Sequence, residues 1–229
     1  MADLLPRLVT LKGRKRVYWR RDPPRGKYFK FLTDVGISEE NGRILLRFSN
    51  GIANTGAGPL EVGGDRKRLR VRAGKRSMPA YQRVYQDDGT KRLVYVGRFV
   101  FDPDPDHRHW HYAGFAEYRL LNSSGRRVRR SRKQAFCLED YDRLRPRARA
   151  LYPSCRPTKM GISPGWADTY IAELHGQQLD ITTIPSGVYR LEAVTNPAGR
   201  LVTAGPRVSR ASIRIKIDKT TNRVTEVKT

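Results

Sequence analysis

Short apolar stretches separated by turn residues dominate this sequence and most limit what it can fold into. The stretch "RILLRFSNGIAN" (43–54) carries an apolar run into a glycine turn, and "KRLVYVGRFVFD" (91–102) is rich in Val, Phe and Tyr. The last stretch, "RASIRIKIDKTTNRVTEVKT" (210–229), alternates isoleucine with charged residues, which is the period of a strand with one buried face. Because no helical period lies between these stretches, they favour antiparallel sheets over a parallel α/β fold.

Two further stretches, 115–128 and 179–200, each indicate strand, turn and strand. Segment 143–168 carries several Pro and Gly residues without a period, so we expect a long ordered loop there, and a loop of this length within a compact domain is usually functional or disordered. The sequence therefore predicts one domain over residues 1–229, mainly β: an antiparallel β-sandwich with long ordered loops and little helix.

The charge of the chain is strongly positive. Lys and Arg number 46 against 22 Asp and Glu, which gives a formal net charge of +24. Such a charge predicts an anionic partner, because counterion release rewards contact with any dense polyanion. Nucleic acid, phospholipid headgroups and acidic polymers all fit, and a merely solvated basic surface is the alternative.

Two features of the sequence bear on the cellular location of the protein. The N-terminus lacks the order of basic head, apolar core and cleavage site of a signal peptide, and no apolar run reaches the length of a membrane span. We therefore expect either a cytosolic protein or one whose export signal has been removed. Cys137 and Cys155 are equally consistent, by spacing, with a disulfide and with two thiols, and a disulfide would indicate an oxidising compartment.

Three of the four histidines stand at alternate positions in "DHRHWHYAG" (106–114), namely His107, His109 and His111. On a strand these positions share a face, so the pattern predicts a metal site on a strand. Regular geometry would still separate the outer two Cα atoms by about 13 Å, so the strand must bend or the rings must lean inward. Imidazole suits zinc, copper, nickel and iron alike. The alternative is a set of solvated or aromatic-packed histidines, and Asp102, Asp104 and Asp106 are candidates to orient the rings.

Four blocks then follow in order: "HRHWHYAGFAEYRLL" (107–121), "RKQAFCLEDYD" (132–142), "GISPGWADTY" (161–170) and "LDITTIPSGVYRLEAVTNP" (179–197). This series resembles the catalytic domain of the lysyl oxidase family, in a short bacterial-type form. The resemblance implies copper binding by His107, His109 and His111. It also implies a lysine tyrosylquinone cofactor formed from Lys133 and Tyr170, and a Cys137–Cys155 disulfide, hence a secreted protein.

The chemistry of the residues agrees with this resemblance. A phenol near Cu(II) can be oxidised to a quinone, to which a neutral amine can add, and the arginines of "GRRVRRSR" (125–132) should lower the pKa of Lys133. Taken alone, Lys133 would be a surface lysine and Tyr170 a packed core tyrosine. The resemblance implies oxidation of a primary amine, either peptidyl lysine or an alkylamine, to an aldehyde with release of hydrogen peroxide and ammonia.

The catalytic base is assigned by position. A histidine often suggested for this role in animal members falls, with a gap of one residue, on Glu117, and a carboxylate can act as a base if burial raises its pKa. The alternative is a surface carboxylate paired with Arg119. No calcium site is expected, because "LVTAGPRVSRAS" (201–212) and "LPRLV" (5–9) stand where animal members carry acidic ligands.

Two other functions remain open on the residues. One is a basic β-sandwich that binds anionic polymers and keeps the histidine triad without oxidase activity; the other is a zinc or copper hydrolase. Nucleic acid is a possible partner but is not favoured. A net charge of +24 repels a cationic lysine substrate and slows its encounter with the protein. Either the target lysine lies on an acidic protein or polymer, or the substrate is a small amine at a locally neutral mouth.

Overall fold

The strand periods of the sequence are realised in antiparallel sheets. A computed structural model describes residues 1–19, 26–104, 108–131, 135–174 and 176–227. Over these residues the chain forms 22 strands and one short 3-10 helix, and its ladders are antiparallel. The predicted mainly β, antiparallel class is confirmed. No helix in the described ranges has the length and apolar character needed to cross a membrane.

In chain order the first strands are β1 (Asp3–Leu4), β2 (Leu8–Thr10), β3 (Gly13–Trp19), β4 (Lys27–Phe31), β5 (Gly36–Glu40), β6 (Arg43–Arg47), β7 (Asn50–Asn54), β8 (Leu60–Gly64), the 3-10 turn (Arg66–Arg68), β9 (Arg70–Arg72), β10 (Lys75–Gln86) and β11 (Lys91–Phe101). The remaining strands are β12 (Trp110–Ala113), β13 (Ala116–Leu121), β14 (Arg127–Arg130), β15 (Ala135–Phe136), β16 (Asp142–Arg143), β17 (Met160–Ile162), β18 (Trp166–Tyr170), β19 (Gln178–Asp180), β20 (Gly187–Thr195), β21 (Ser209–Asp218) and β22 (Arg223–Glu226).

Four sheets organise these strands. The first runs β15-β12-β11-β10-β8-β17, with β1 and β9 also paired to β10. The second runs β14-β13-β20-β21-β22, the third β2-β7-β18-β16-β3-β4, and the fourth β19-β6-β5. The histidine strand β12 therefore lies in the first sheet and the tyrosine strand β18 in the third.

The core lies where the inward faces of these sheets meet. On β21 the alternating residues Ala211, Ile213, Ile215 and Ile217 are buried, as the isoleucine–charge pattern predicts. They join one large apolar cluster that also includes Phe48, Phe99, Tyr112, Phe115, Tyr118, Phe136, Trp166 and Tyr170. The cluster thus draws side chains from every sheet, and both predicted site strands pack on it.

The segment expected to be a long loop is ordered but includes the end of β16, all of β17 and the start of β18. β17 and the first residues of β18 fall inside 143–168, because β17 pairs with β8 and β18 pairs with β7. The rest is held by Asp140, whose carboxylate accepts backbone N–H bonds from Leu151, Tyr152 and Ser163 at 2.7–3.0 Å. Side-chain hydrogen bonding therefore replaces a ladder in this segment.

Candidate active site

Two backbone hydrogen bonds connect the residues after β11 with those just before the histidine strand β12. The Asp102 N–H donates to the His109 carbonyl at 3.0 Å, and the Arg108 N–H donates to the Asp104 carbonyl at 2.9 Å. Arg108 takes a left-handed backbone (φ 35°). His109 lies in a bend just before β12 and His111 on the strand, and their rings are 4.5 Å apart between centroids, at 81° to one another. His107 lies outside the described residues, so two of the three predicted ligands are seen together.

Asp102 stands against the ring of His111. Its Oδ2 lies 3.5 Å from His111 Nδ1, and the histidine is only 4% exposed. A carboxylate at Nδ1 favours the proton on that nitrogen, so Nε2 keeps its lone pair for a metal. Asp102 therefore has the orienting contact that its place before the histidines suggested.

The predicted Cys137–Cys155 disulfide is present, with a Cα–Cα distance of 5.5 Å. A ring nitrogen of His109 and the two sulfurs lie within 4.8 Å of one another. Because a disulfide offers no thiolate, these sulfurs border the histidine site rather than serve as metal ligands. The bridge joins the end of β15 to the loop before β17 and places both beside His109.

Tyr170 ends strand β18 on the other side of Cys137. Its hydroxyl donates a hydrogen bond to the Cys137 carbonyl. Phe136 packs edge-on against its ring, with centroids 5.0 Å apart. The tyrosine is 8% exposed, and burial, together with the nearby carboxylate of Asp168, raises the pKa of its hydroxyl well above the usual value. Tyr170 is thus a neutral phenol connected to His109 through Cys137.

Lys133, the predicted partner of Tyr170, lies outside the described residues. The chain enters that segment from Ser131, whose N–H donates to the Tyr118 carbonyl at 2.9 Å, and leaves it at Ala135, which pairs with Ala113. Ala113 lies two residues after His111 on β12. The end after Lys133 is therefore anchored on the histidine strand, and the end before it is anchored on β13.

Asp168 is the site residue that sequence reasoning missed. It precedes Tyr170 by two residues on β18, so the two side chains share a face, and the Asp168 carboxyl group lies close to the tyrosine hydroxyl. It is 2% exposed, and its Oδ2 finds no hydrogen-bond donor in the described part of the chain. Burial raises its pKa well above the usual range, and Glu139 adds to this effect. The signal was present in "DTY" as a carboxylate at strand spacing.

Glu117 lies among arginines. Its carboxylate is 2.6 Å from Arg119 Nε, 3.7 Å from Arg127 and 4.0 Å from Arg130. The next residue, Tyr118, packs into the core beside Phe136, so strand alternation directs Glu117 to the opposite face of the second sheet. The pairing with Arg119 that the sequence allowed is observed, and the assignment of Glu117 as base stays a prediction.

A cavity of about 1030 Å³ opens beside the histidines. Its described lining includes His111, Asp102 and Asp104, with Val100 and Phe101 at its wall. Arginine and lysine side chains occupy much of the remaining lining. The volume is at the upper end of the range for ligand sites, about 300–1,000 Å³, so it can admit more than a small amine.

These features define a class: a mainly β protein in which a histidine pair suited to a metal lies beside a buried tyrosine and a disulfide. Comparison with known proteins then identifies the family. The lysyl oxidase family profile matches residues 74–226, and the chain belongs to that family.

Several animal proteins are similar over part of the chain. Protein-lysine 6-oxidase of Rattus norvegicus is 34% identical over 119 residues, covering 51% of this chain and 28% of the rat protein. The enzyme of the same name from Sus scrofa is 34% identical over 119 residues, covering 51% of this chain and 47% of the relative. Lysyl oxidase homolog 2 of Gallus gallus is 36% identical over 92 residues, covering 40% of this chain and 12% of the relative. The chain thus spans less than half the length of these relatives.

Proposed function

We propose that this protein oxidises primary amines: R–CH₂–NH₂, O₂ and water yield the aldehyde, ammonia and hydrogen peroxide. The observation that carries the proposal is the chain of contacts from the His109–His111 pair through Cys137 to the buried Tyr170, in a member of the lysyl oxidase family. The cofactors would be copper and a lysine tyrosylquinone formed from Lys133 and Tyr170. The substrate class would be a lysine side chain in a protein, or an alkylamine.

The residues present fit a copper ion. His107, His109 and His111 would hold it, and Asp102 already supports the tautomer of His111 that leaves Nε2 to the metal. Three neutral imidazoles with an open position suit copper chemistry. When bound, the copper supplies the oxidation of Tyr170, and the resulting quinone supplies the electron-accepting carbonyl for the amine. No calcium site is expected at 201–212 or 5–9, and the absence of a calcium requirement stays an expectation.

The protein's own part is to hold and shield the tyrosine. The Cys137 carbonyl fixes the position of the hydroxyl, and Phe136 fixes the plane of the ring. Burial excludes water from the ring and keeps the proton on the hydroxyl. Lys133 would be the nucleophile of the cross-link, activated by the basic segment that precedes it.

Two carboxylates are candidates to remove the α-proton of the amine. Glu117 is a candidate because it aligns with the histidine suggested as base in animal members, but three arginines contact its carboxylate. Asp168 touches Tyr170, and burial raises the pKa of its carboxyl, as a base working near neutrality requires. We therefore propose Asp168 as the base to test against Glu117. Glu117→Gln and Asp168→Asn should have different effects. Substitution of the true base should lower kcat by about 10²–10⁴-fold while the Lys133–Tyr170 cross-link still forms.

We further propose that the protein works in an oxidising, extracellular compartment. The Cys137–Cys155 disulfide supports this location, because such bonds persist where thiols are not kept reduced. Secretion of the tagged full-length product, followed by recovery of the bridge by non-reducing peptide mapping, tests it. Recovery of Cys137 and Cys155 as free thiols from the native host would contradict this location.

Peptide mapping by mass spectrometry tests the function directly. The chain is loaded with copper in air, and the peptides containing Lys133 and Tyr170 are searched for a covalent link. We expect a cross-link that is lost in anaerobic or copper-free preparations and in Tyr170→Phe, while Tyr189→Phe serves as a control tyrosine on β20. Its absence from copper-replete, aerated protein would make a binding module without oxidase activity the better account.

A further inference from the structure

The cavity beside His111 has a cationic rim. Five cationic side chains stand in its described lining against two carboxylates, Asp102 and Asp104. Four of the five form the basic rim: Arg72, Lys75, Arg76 and Arg98. They come from three adjoining strands of the first sheet, since Arg72 on β9 pairs with Lys75 on β10, and β11 carries Arg98.

The basic rim carries charge that its surroundings do not cancel. All four side chains are exposed, and no carboxylate of the described residues lies within ion-pair distance of any of them. The fifth cation, Arg43, is 3.9 Å from Asp180. Asp102 is engaged with His111 and with the Asp104 N–H. Among the described residues the mouth of the cavity is therefore cationic, which favours a target lysine on an acidic partner over a small amine at a neutral mouth.

One arginine of the rim is held in place for a ligand. The Arg76 guanidinium lies 3.6 Å from the centre of the Phe101 ring, and Phe101 meets Trp110 edge-on at 5.6 Å. Trp110, the first residue of β12, stands between His109 and His111 in the chain. The Phe101 ring covers one face of the guanidinium and leaves its N–H edges available for a carboxylate. The side-chain entropy of this anchor is thus partly lost before a ligand arrives.

We propose that the basic rim binds the carboxylates of an acidic polypeptide segment and so delivers a lysine of that segment to the cavity beside His111. The proposal rests on the amine oxidase function above and names its substrate class. A lone ammonium ion is repelled by this mouth, whereas Asp or Glu residues around the lysine reverse the sign of the interaction.

The chemistry favours a polypeptide over other polyanions. The substrate must carry an aliphatic primary amine and negative charge within one short segment, as a lysine flanked by Asp or Glu does. Nucleic acids and polyphosphates carry the charge but no such amine. The cavity volume of about 1030 Å³ also suits several residues of a chain rather than a single small amine.

Binding is measured by fluorescence anisotropy with the copper-loaded full chain. The probe is a labelled peptide with two Glu on each side of a trimethyl-lysine, which keeps its positive charge but cannot be deaminated. A second peptide carries Gln at the four Glu positions. Lys75→Gln/Arg98→Gln removes two rim charges, and Arg214→Gln/Lys216→Gln removes two exposed charges from β21, away from the cavity.

We expect the Glu peptide to bind at least about tenfold more tightly than the Gln peptide at low salt. The rim double variant should weaken it about fivefold or more, and the β21 variant less than twofold. Equal binding of the two peptides, or equal loss in the two double variants, would overturn the proposal. Stronger displacement by a single-stranded oligonucleotide than by an unlabelled Glu peptide of equal charge would also overturn it, in favour of a nucleic-acid surface.

Turnover separates this proposal from the function on which it rests. Hydrogen peroxide release is followed with a Glu-flanked lysine peptide and with n-butylamine. Rim-dependent binding without any peroxide from either amine leaves the acidic-segment site intact and removes the oxidase. Turnover of butylamine with no preference for the Glu-flanked lysine, and with no effect of the rim variant on KM, keeps the oxidase and removes the acidic-segment site.

Discussion

Removal of the Cys137–Cys155 bridge should cost the protein about 3 kcal/mol of unfolding free energy. The bridge closes a loop with a sequence separation of 18, and the loss of loop-closure entropy in the unfolded chain for that length gives about 3 kcal/mol at 25 °C. For 229 residues the unfolding entropy is about 0.5 kcal/mol/K, so the melting temperature should fall by about 6 °C. The cost falls on the unfolded state, because other contacts hold the loop in the folded one.

Those other contacts are specific. Asp140 accepts hydrogen bonds from Leu151 and Tyr152, and the Tyr152 hydroxyl donates to Glu61 at 2.8 Å. The Cys137→Ser/Cys155→Ser double variant should therefore keep its fold. Urea unfolding followed by tryptophan fluorescence measures the change, with the wild type in reductant as a second route to the open form and Ser154→Ala as the control substitution in the same loop.

The urea midpoint should fall, and the open forms made by mutation and by reduction should agree within about 1 kcal/mol. A loss below about 1 kcal/mol would show that the unfolded chain gains little freedom from opening this loop. A loss far above about 5 kcal/mol, with altered near-UV circular dichroism, would show that the bridge and not Asp140 holds the loop in the folded state.

Three further predictions concern the site. Phe136→Ala should destabilise the fold by about 3–5 kcal/mol, because the ring is fully buried against Tyr170 and Tyr118; urea unfolding measures this, and a change under about 1 kcal/mol would contradict it. Asp168→Asn should flatten the pH dependence of stability: the folded carboxyl has a raised pKa, so wild-type stability is lost as pH rises from the unfolded value of about 3.9 towards the folded value. Melting curves of both proteins from pH 4 to 8 should converge at the acid end, and parallel curves would contradict the assignment. Asp102→Asn should weaken metal affinity about 10–100-fold, measured by competition with a chelator, while unchanged affinity would remove its orienting role.

Much of the fold could be predicted because period and turn chemistry are local. The isoleucine alternation of 210–229 indicated which face of β21 is buried, and Ile213, Ile215 and Ile217 are on that face. The short strands inside 143–168 were missed, since β17 owes its form to pairing with β8 and has no period of its own. Three residues are too few for a pattern to show.

The candidate site was likewise predictable only in its local features. The histidine spacing predicted one strand face, and the disulfide implied by the family resemblance is present. Strand spacing in "DTY" put Asp168 on the face of Tyr170, but its burial there, and the approach of Arg127 and Arg130 to Glu117, could not be predicted. Both facts depend on which strands become neighbours, because Arg127 and Arg130 reach Glu117 only through the pairing of β14 with β13.

The sequence by itself determined the antiparallel class, the family and the excess of positive charge, because each of these depends on local order or on composition. Only the tertiary structure decided where that charge lies. Arg72, Lys75, Arg76 and Arg98 gather at the mouth beside His111 because β9, β10 and β11 are adjacent strands and β12 adds to the same sheet. Neighbours in a sheet are chosen by long-range packing of apolar faces, which no local stretch of the chain contains.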